Sequence, residues 1–356
     1  MNQTVFRDFV KLQRGFDLPR QNRQDGSVPV IGATQIQGFH NQSKVSAPGV
    51  TTGRSGALGD VMYLTQDFWP LNTSLWVKDF KGNEPRYVYY KLKTLNLKRF
   101  NSGAGVPTLN RNHLDTLPVE IHSQDEQQKI AGVLGAYDDL IENNSNRIDK
   151  LESMARLLYR HYFENTKFES KQLHEVAKIN PEGISRSNQP KTISYIDISS
   201  VGSGVIQNRQ KLDYSNAPSR ARRIVKDGDL IWATVRPNRK QFAYIHRPLQ
   251  DTVVSTGFVV LRPTKLPASY LYYFLSDDRS VAYLVNHATG SAYPAVNASV
   301  FEDMPIPIPP SDLLQKYDYF VSSALKQIQT LYKRNEVLAQ ARDLLLPRIM
   351  SGEVKV

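Results

Sequence analysis

VRPNRK, residues 235 to 240, sets Arg236, Asn238, Arg239 and Lys240 in one proline-broken turn between two β-rich runs. An arginine can hold guanine O6 and N7 with two parallel hydrogen bonds, and an asparagine can do the same for adenine. SRARRIVKDGD adds Arg220, Arg222 and Arg223 ahead of the strand-like DLIWATV. Earlier in the chain, TTGRSG offers Arg54 and Ser55, and LKRFNSG offers Lys98, Arg99 and Asn101. Arg111 and Asn112 follow GAGVPTL. For each of these residues, contact with DNA competes with ordinary surface solvation. Phosphate contacts are the commoner kind, and they position a protein without reading sequence.

Other chemistry is poorly supplied. The chain of 356 residues has no cysteine, which excludes a disulfide scaffold, a thiolate zinc site and a cysteine nucleophile. No G-x-x-x-x-G-K-[ST] match exists for a nucleotide-driven motor. NPEG at 180 to 183 is not the Asn/Asp-Pro-Pro-aromatic pocket of a base methyltransferase, and VGSGV is a lone glycine pair. Two acid-x-Lys triplets, Glu169 with Lys171 and Glu353 with Lys355, are cheap matches in a charged chain. The seven histidines have no metal-ligand spacing, and His161 reads as a surface or interface residue. Neither a catalytic site nor a metal site is expected. The N-terminus lacks an apolar run of signal-peptide length, and TVVSTGFVVL is too short to cross a bilayer. A soluble intracellular protein with no membrane association is expected.

The net charge is +11, with a pI near 9.5. The excess sits in two arms, residues 1–124 and 164–310, while the segments 125–163 and 311–350 are nearly balanced. Two similar basic surfaces suggest two meetings with a polyanion.

What positions these loops is a joint that occurs twice. GAGVPTLNRNHLDTLPVEI starts at Gly103 and GSAYPAVNASVFEDMPIPI at Gly290. Gly103 and Gly290, Pro107 and Pro294, Asn110 and Asn297, Pro118 and Pro305, and Lys129 and Lys316 are each 187 residues apart. The glycines and prolines read as backbone-shaping residues. After each joint the apolar spacing alternates four and three, the mark of a heptad seam. The first helix carries Ile130, Leu134, Tyr137, Ile141, Asn144, Ile148, Leu151, Ala155, Leu158 and Tyr162. The second carries Tyr317, Val321, Ala324, Ile328, Leu331, Asn335, Leu338, Arg342, Leu345 and Ile349.

Two such helices can pair antiparallel as a coiled coil. If Asn144 faces Asn335, Ile130 meets Ile349, Ile148 meets Leu331 and Ala155 meets Ala324. Tyr137 then meets Arg342, which could stack on it as a cation–π pair. The alternative is that each helix packs on its own arm. From Ile130 to Tyr162 the seam would run about 48 Å at about 1.5 Å per residue, comparable to about 14 base pairs of duplex at about 3.4 Å each. The arms read as mixed α/β. DVMYLTQDFWPLNTSLWV, DLIWATV, QFAYI and TVVSTGFVVL read as strands, and RYVYYKLKTL and SYLYYFLSD as short helices.

With the arm–helix–arm–helix layout, the two joints, the helix starts DEQQKI and DLLQKY, and the helix ends ARLLYRHYF and ARDLLLPRIMSGE, the chain resembles the specificity subunit of type I restriction–modification systems over nearly its whole length. The resemblance implies an α/β (α+β) fold with a pseudo-twofold internal repeat: target recognition domains at 1–124 and 166–310, a central spacer helix at 125–165 and a C-terminal one at 311–356. It implies a non-catalytic subunit that reads a bipartite, asymmetric sequence in double-stranded DNA. The helices would dock methyltransferase subunits, usually two, and a separate motor–nuclease subunit can join. S-adenosylmethionine, ATP and Mg would belong to those partners, with no cofactor in this chain. Adenine methylation, host defence and a prokaryotic cytosol follow from the same resemblance. The first arm departs from the pattern by starting almost at Met1 and by being shorter than the second. The other readings are an enzyme fused to its own reader, disfavoured by the missing motifs, and a stand-alone sequence-specific DNA-binding regulator, for which a long neutral rod has no use.

Overall fold

The computed structural model describes residues 1–103, 105–164 and 166–356. Ala104 of the first joint, and Asn165, where the first spacer helix was expected to end, lie outside the described residues. The fold is mixed α/β and comprises two compact units, Met1–Glu142 with Glu336–Val356, and Asn143–Asn335.

In the first unit, Lys11–Arg14, Ser74–Asp79, Gly49–Gly53 and Val61–Leu64 form an antiparallel sheet in that order. A second sheet orders Ile36–His40, Val28–Ile31 and Trp69–Pro70, the last two parallel. Asn2–Val5 pairs with Pro118–Ile121, which leads out of the joint. All of RYVYYKLKTL but its last residue, Leu95, lies in the helix Pro85–Thr94, which starts cleanly. Pro85 needs no helical N–H partner, and the Glu84 side chain accepts from Tyr87 N. The helix buries Tyr87, Val88, Tyr90 and Leu92 against Phe6, Phe9, Ile130, Leu134 and Ile349.

The second unit repeats the plan. One sheet orders Ala177–Ile179, Phe258–Pro263, Leu230–Ala233 and Phe242–Tyr244. The other orders Gln210–Asp213, Thr192–Ile196, Thr252–Ser255 and Ala221–Ile224, with the middle pair parallel. Ala221–Ile224 is an added edge strand. At the matching edge of the first unit stand the isolated bridges Val45–Phe68 and Phe16–Leu71. TVVSTGFVVL, one apolar run in the sequence, is two strands in two sheets, split at Thr256 and Gly257. Trp232 stacks on Phe242 at 4.5 Å in its core, with Tyr270, Tyr273, Phe163 and Tyr317 nearby.

The long helices are Gln124–Phe163 and Ser311–Met350, 40 residues each, and both of their ends differ by the joint's offset of 187. Glu126 reaches back over the start of the first: Ser123 N and Oγ both donate to Glu126 Oε2, at 3.0 and 2.8 Å. The second follows Pro309 and Pro310, runs through Pro347 and stops before Gly352, whose φ of +77° ends it.

Within the first unit, Ile130 and Leu134 share one apolar cluster with Leu345 and Ile349. Within the second, Ile148 and Leu151 pack with Ile328 and Leu331, and Ala155, Leu158 and Tyr162 with Tyr317 and Val321. Asn144 Nδ2 donates to Asn335 Oδ1 at 2.9 Å, and Asn335 Nδ2 donates to Ser145 Oγ at 3.2 Å. Arg342 differs from expectation. Its guanidinium takes the carboxylates of Asp138 and Asp343 in place of the Tyr137 ring, because a charge in a half-buried seam gains more from an anion than from a π face.

Candidate nucleic-acid interface

The basic loops sit on the joints, and do so by the same bonds in both units. In the first, Arg54, Ser55 and Gly56 follow the strand Gly49–Gly53. Leu109 N donates to Arg54 O at 2.8 Å, Gly56 N to Pro107 O at 2.9 Å, and Arg54 N to Thr73 O at 2.9 Å. In the second, Thr234, Val235 and Arg236 follow the strand Leu230–Ala233. Val296 N donates to Thr234 O at 3.0 Å, Arg236 N to Pro294 O at 2.7 Å, and Thr234 N to Gly257 O at 2.8 Å. Loop, joint and intervening turn form one platform, made twice. Arg54 takes the place of Thr234, and Gly56 that of Arg236.

The joint glycines serve this close approach. A Cβ on Gly103 would fall 1.9 Å from Val106 O, and Gly290 has φ +96° with Tyr293 O 3.2 Å from its would-be Cβ. Val106 and Tyr293 are again 187 apart. Asn101 Oδ1 accepts from Gly103 N at 3.0 Å and from Thr108 N at 2.9 Å. Its side-chain oxygen therefore also folds the joint.

On the second platform, Arg236 lies over the ring of Tyr293, 4.4 Å from guanidinium carbon to centroid, and its Nη2 is 3.4 Å from Ala292 O. Tyr293 is 69% exposed, so the stack faces solvent. Arg236 and Lys240 both have left-handed backbone, with φ 52° and 51°, and flank a single 3-10 turn, Pro237–Arg239. That turn puts Asn238 and Arg239 on an exposed tip. Lys240 Nζ meets Asp278 at 2.5 Å and holds its carboxyl below the usual range by hydrogen bonding. Arg220 is exposed beside the platform: its carbonyl accepts from Thr256 N at 2.8 Å, next to Gly257.

Arg222 and Arg223 are tied into the fold. They lie in the edge strand Ala221–Ile224. Arg222 sits over the Tyr214 ring at 5.4 Å and donates to its hydroxyl. Arg223 donates to Asn180 Oδ1 and Phe258 O, and desolvation lowers its pKa. Both hold the strand to its neighbours. A run of arginines in sequence does not reveal which ones a strand turns inward.

On the first platform, Arg54 Nε donates to Asn72 O at 2.8 Å, and its pKa is lowered by burial and by Arg14. Arg14, beside Arg54, carried no sequence signal: it is one base in the unremarkable KLQR. Ser55 is half-buried, with its N 3.2 Å from Thr73 O. Lys98 and Asn101 line a depression with Gly56 and Pro107, and Arg99 is exposed over the Phe100 ring at 4.7 Å. Arg111 and Asn112 line a different depression, with Asp8, Lys11 and Asp115, and Arg111 Nη1 donates to Leu12 O at 3.3 Å. The structure thus gathers Arg54, Ser55, Lys98 and Asn101 and leaves Arg111 and Asn112 apart.

Among the described residues, no three His, Cys, Asp or Glu side chains are grouped to hold a metal ion, and no helix is long and apolar enough to cross a membrane.

The model of the type I restriction modification DNA specificity domain matches residues 6–153 and again 165–339. The type I restriction enzyme MjaIX specificity subunit of Methanocaldococcus jannaschii is 26% identical over 310 residues, covering 78% of this chain and 71% of the relative. The MjaVIII specificity subunit of the same organism is 21% identical over 300 residues, covering 76% and 70%. The crystal structure of the type I restriction–modification system S subunit from M. genitalium superposes with a TM-score of 0.70 at 14% identity, over 98% of this chain and 95% of that one. That likeness is one of fold, and it joins two sequence matches that fall on the two repeats. By its sequence and its duplicated architecture, this chain belongs to the type I restriction modification DNA specificity domain family.

Proposed function

We propose that this chain is the non-catalytic specificity subunit of a type I restriction–modification complex, with residues 1–124 and 166–310 each reading one half of a bipartite, asymmetric DNA sequence. The observation that carries this is the duplicated platform: in each unit a basic loop is bonded to a joint and a turn by the same three backbone bonds. Two equivalent basic surfaces suit two half-sites, and their different side chains suit different bases. Arg236 and Asn238 are the base-reading candidates of the second half-site, and Arg239 at the exposed tip is a phosphate contact. Arg54, Lys98 and Arg99 serve the first, with phosphate contacts commoner than base contacts.

The helices would dock the methyltransferase subunits. In the first unit they expose Val133, Leu140, Val337 and Leu344, and in the second Met154, Leu157, Tyr319 and Phe320. Val133 and Phe320, and Leu157 and Leu344, are again 187 apart, so repeated apolar positions suit two copies of one partner. S-adenosylmethionine, ATP and Mg would be bound by the partners, a motor–nuclease subunit among them, in the prokaryotic cytosol.

The test is a methylome of the host with and without this gene. Methylation lost at one motif with two short specified halves supports the reading. An unchanged methylome with the partner subunits expressed overturns it in favour of a stand-alone regulator.

A further inference from the structure

The unit Asn143–Asn335 contains a crevice of about 340 Å³ between its second sheet and the second long helix. Its floor is apolar, with Ile196 and Ile206, and the exposed Leu249 also lines it. Four cations line it: Arg209 and Arg247 from the domain, and the adjacent helix residues Lys333 and Arg334. Among the described residues, no Asp or Glu lines it. Thr252 also faces it. That residue is 2% exposed, and its hydroxyl has no hydrogen-bond partner. A buried hydroxyl without a partner is costly and calls for a ligand atom or a water. Arg247 is built into place: its φ is +46°, and its N donates to Asp227 Oδ1 at 2.6 Å. None of the loop residues assigned to DNA lines this crevice.

We infer that this crevice is a binding site for a small organic anion, an apolar ring or chain carrying a phosphate, sulfonate or carboxylate. The volume falls in the range of small-molecule sites, about 300–1,000 Å³, which join apolar walls to a few convergent polar groups. The apolar body rests on Ile196 and Ile206, the Thr252 hydroxyl meets a polar atom at depth, and Arg247 and Arg334 take the anionic group by charge-assisted hydrogen bonds. Duplex DNA fits less well, because its phosphates lie on a convex surface and have no use for an apolar floor.

The test is a fluorescence titration of the full-length protein with 8-anilinonaphthalene-1-sulfonate, beside its uncharged relative N-phenyl-1-naphthylamine. The expected result is one saturable site for the sulfonate. Its Kd rises at least ten-fold in the double variant Arg247→Gln, Arg334→Gln, and several-fold in Thr252→Val. Both arginines are exposed, so the double variant keeps its fold, checked by an unchanged melting curve. Equal binding of the neutral probe, or an unchanged Kd in the double variant, overturns the inference. Displacement of the sulfonate by a non-specific duplex also overturns it, by reassigning the cations to a DNA backbone.

Discussion

Asn144 and Asn335, 191 residues apart in the chain, meet side chain to side chain at 2.9 Å in the seam of the two long helices. Asn144 is buried, and Ser145 gives Asn335 a second partner. A paired amide in a seam sets register at some cost in stability. Asn144→Ala should lower the unfolding free energy by about 1–2 kcal/mol in urea titration, since it removes the amide that donates to Asn335 Oδ1. The double change to leucine should raise stability and loosen register.

The chain has no cysteine, so Ala155→Cys with Ala324→Cys gives a clean register probe. Ala155 and Ala324 are both buried in the second unit. Oxidation should close the disulfide in nearly all molecules, read as a mobility shift on non-reducing gels. In the double-leucine background the yield should fall. A pair that stays reduced in the parent counts against the register.

Arg236→Ala should relax specificity in one half-site and cost about 1–3 kcal/mol of discrimination there, measured by binding to a panel of single-base variants of the site. Arg239→Ala, at an exposed tip, should weaken binding evenly and reduce the salt slope by about one. Tyr293→Leu should resemble Arg236→Ala in kind and be smaller in size, because it removes the ring that holds the guanidinium.

Gly103→Ala should destabilise the first unit by about 1–3 kcal/mol, because the new methyl meets Val106 O and backbone must move. Differential scanning calorimetry of the variant should show the loss. DNA binding should fall for the first half-site and persist for the second.

His122 gives the first unit an acid-side sensitivity. Burial lowers its pKa below 6.5, and its ring Nδ1 lies 3.0 Å from the Tyr87 hydroxyl. The unfolded state therefore binds the proton first, and stability falls as pH drops below about 6.5 toward the lower folded pKa. His122→Gln, which cannot titrate, should flatten the urea midpoint against pH in that window. An equal slope in the variant would assign it to other groups.

The sequence by itself determined the repeat, the two helices and their seam, because heptad spacing and a fixed offset are linear properties. It also marked the strands within DVMYLTQDFWPLNTSLWV, DLIWATV, QFAYI and TVVSTGFVVL, since β-branched and aromatic runs between turns are local signals. It could not divide TVVSTGFVVL between two sheets, because periodicity within one apolar run does not say where a turn at Thr256 redirects the chain. Nor could it sort the arginines. Arg236 and Arg223 look alike in sequence, yet one lies on an exposed tyrosine and the other is spent on Asn180 and Phe258 O. That division depends on which strand pairs with which across some 35 to 80 residues of chain, and only tertiary structure decides it. The likeness of the two platforms was hidden for the same reason. Loop and joint are separated by 55 residues in one arm, Arg54 to Leu109, and by 62 in the other, Thr234 to Val296, so no single offset aligns them until the backbone bonds do.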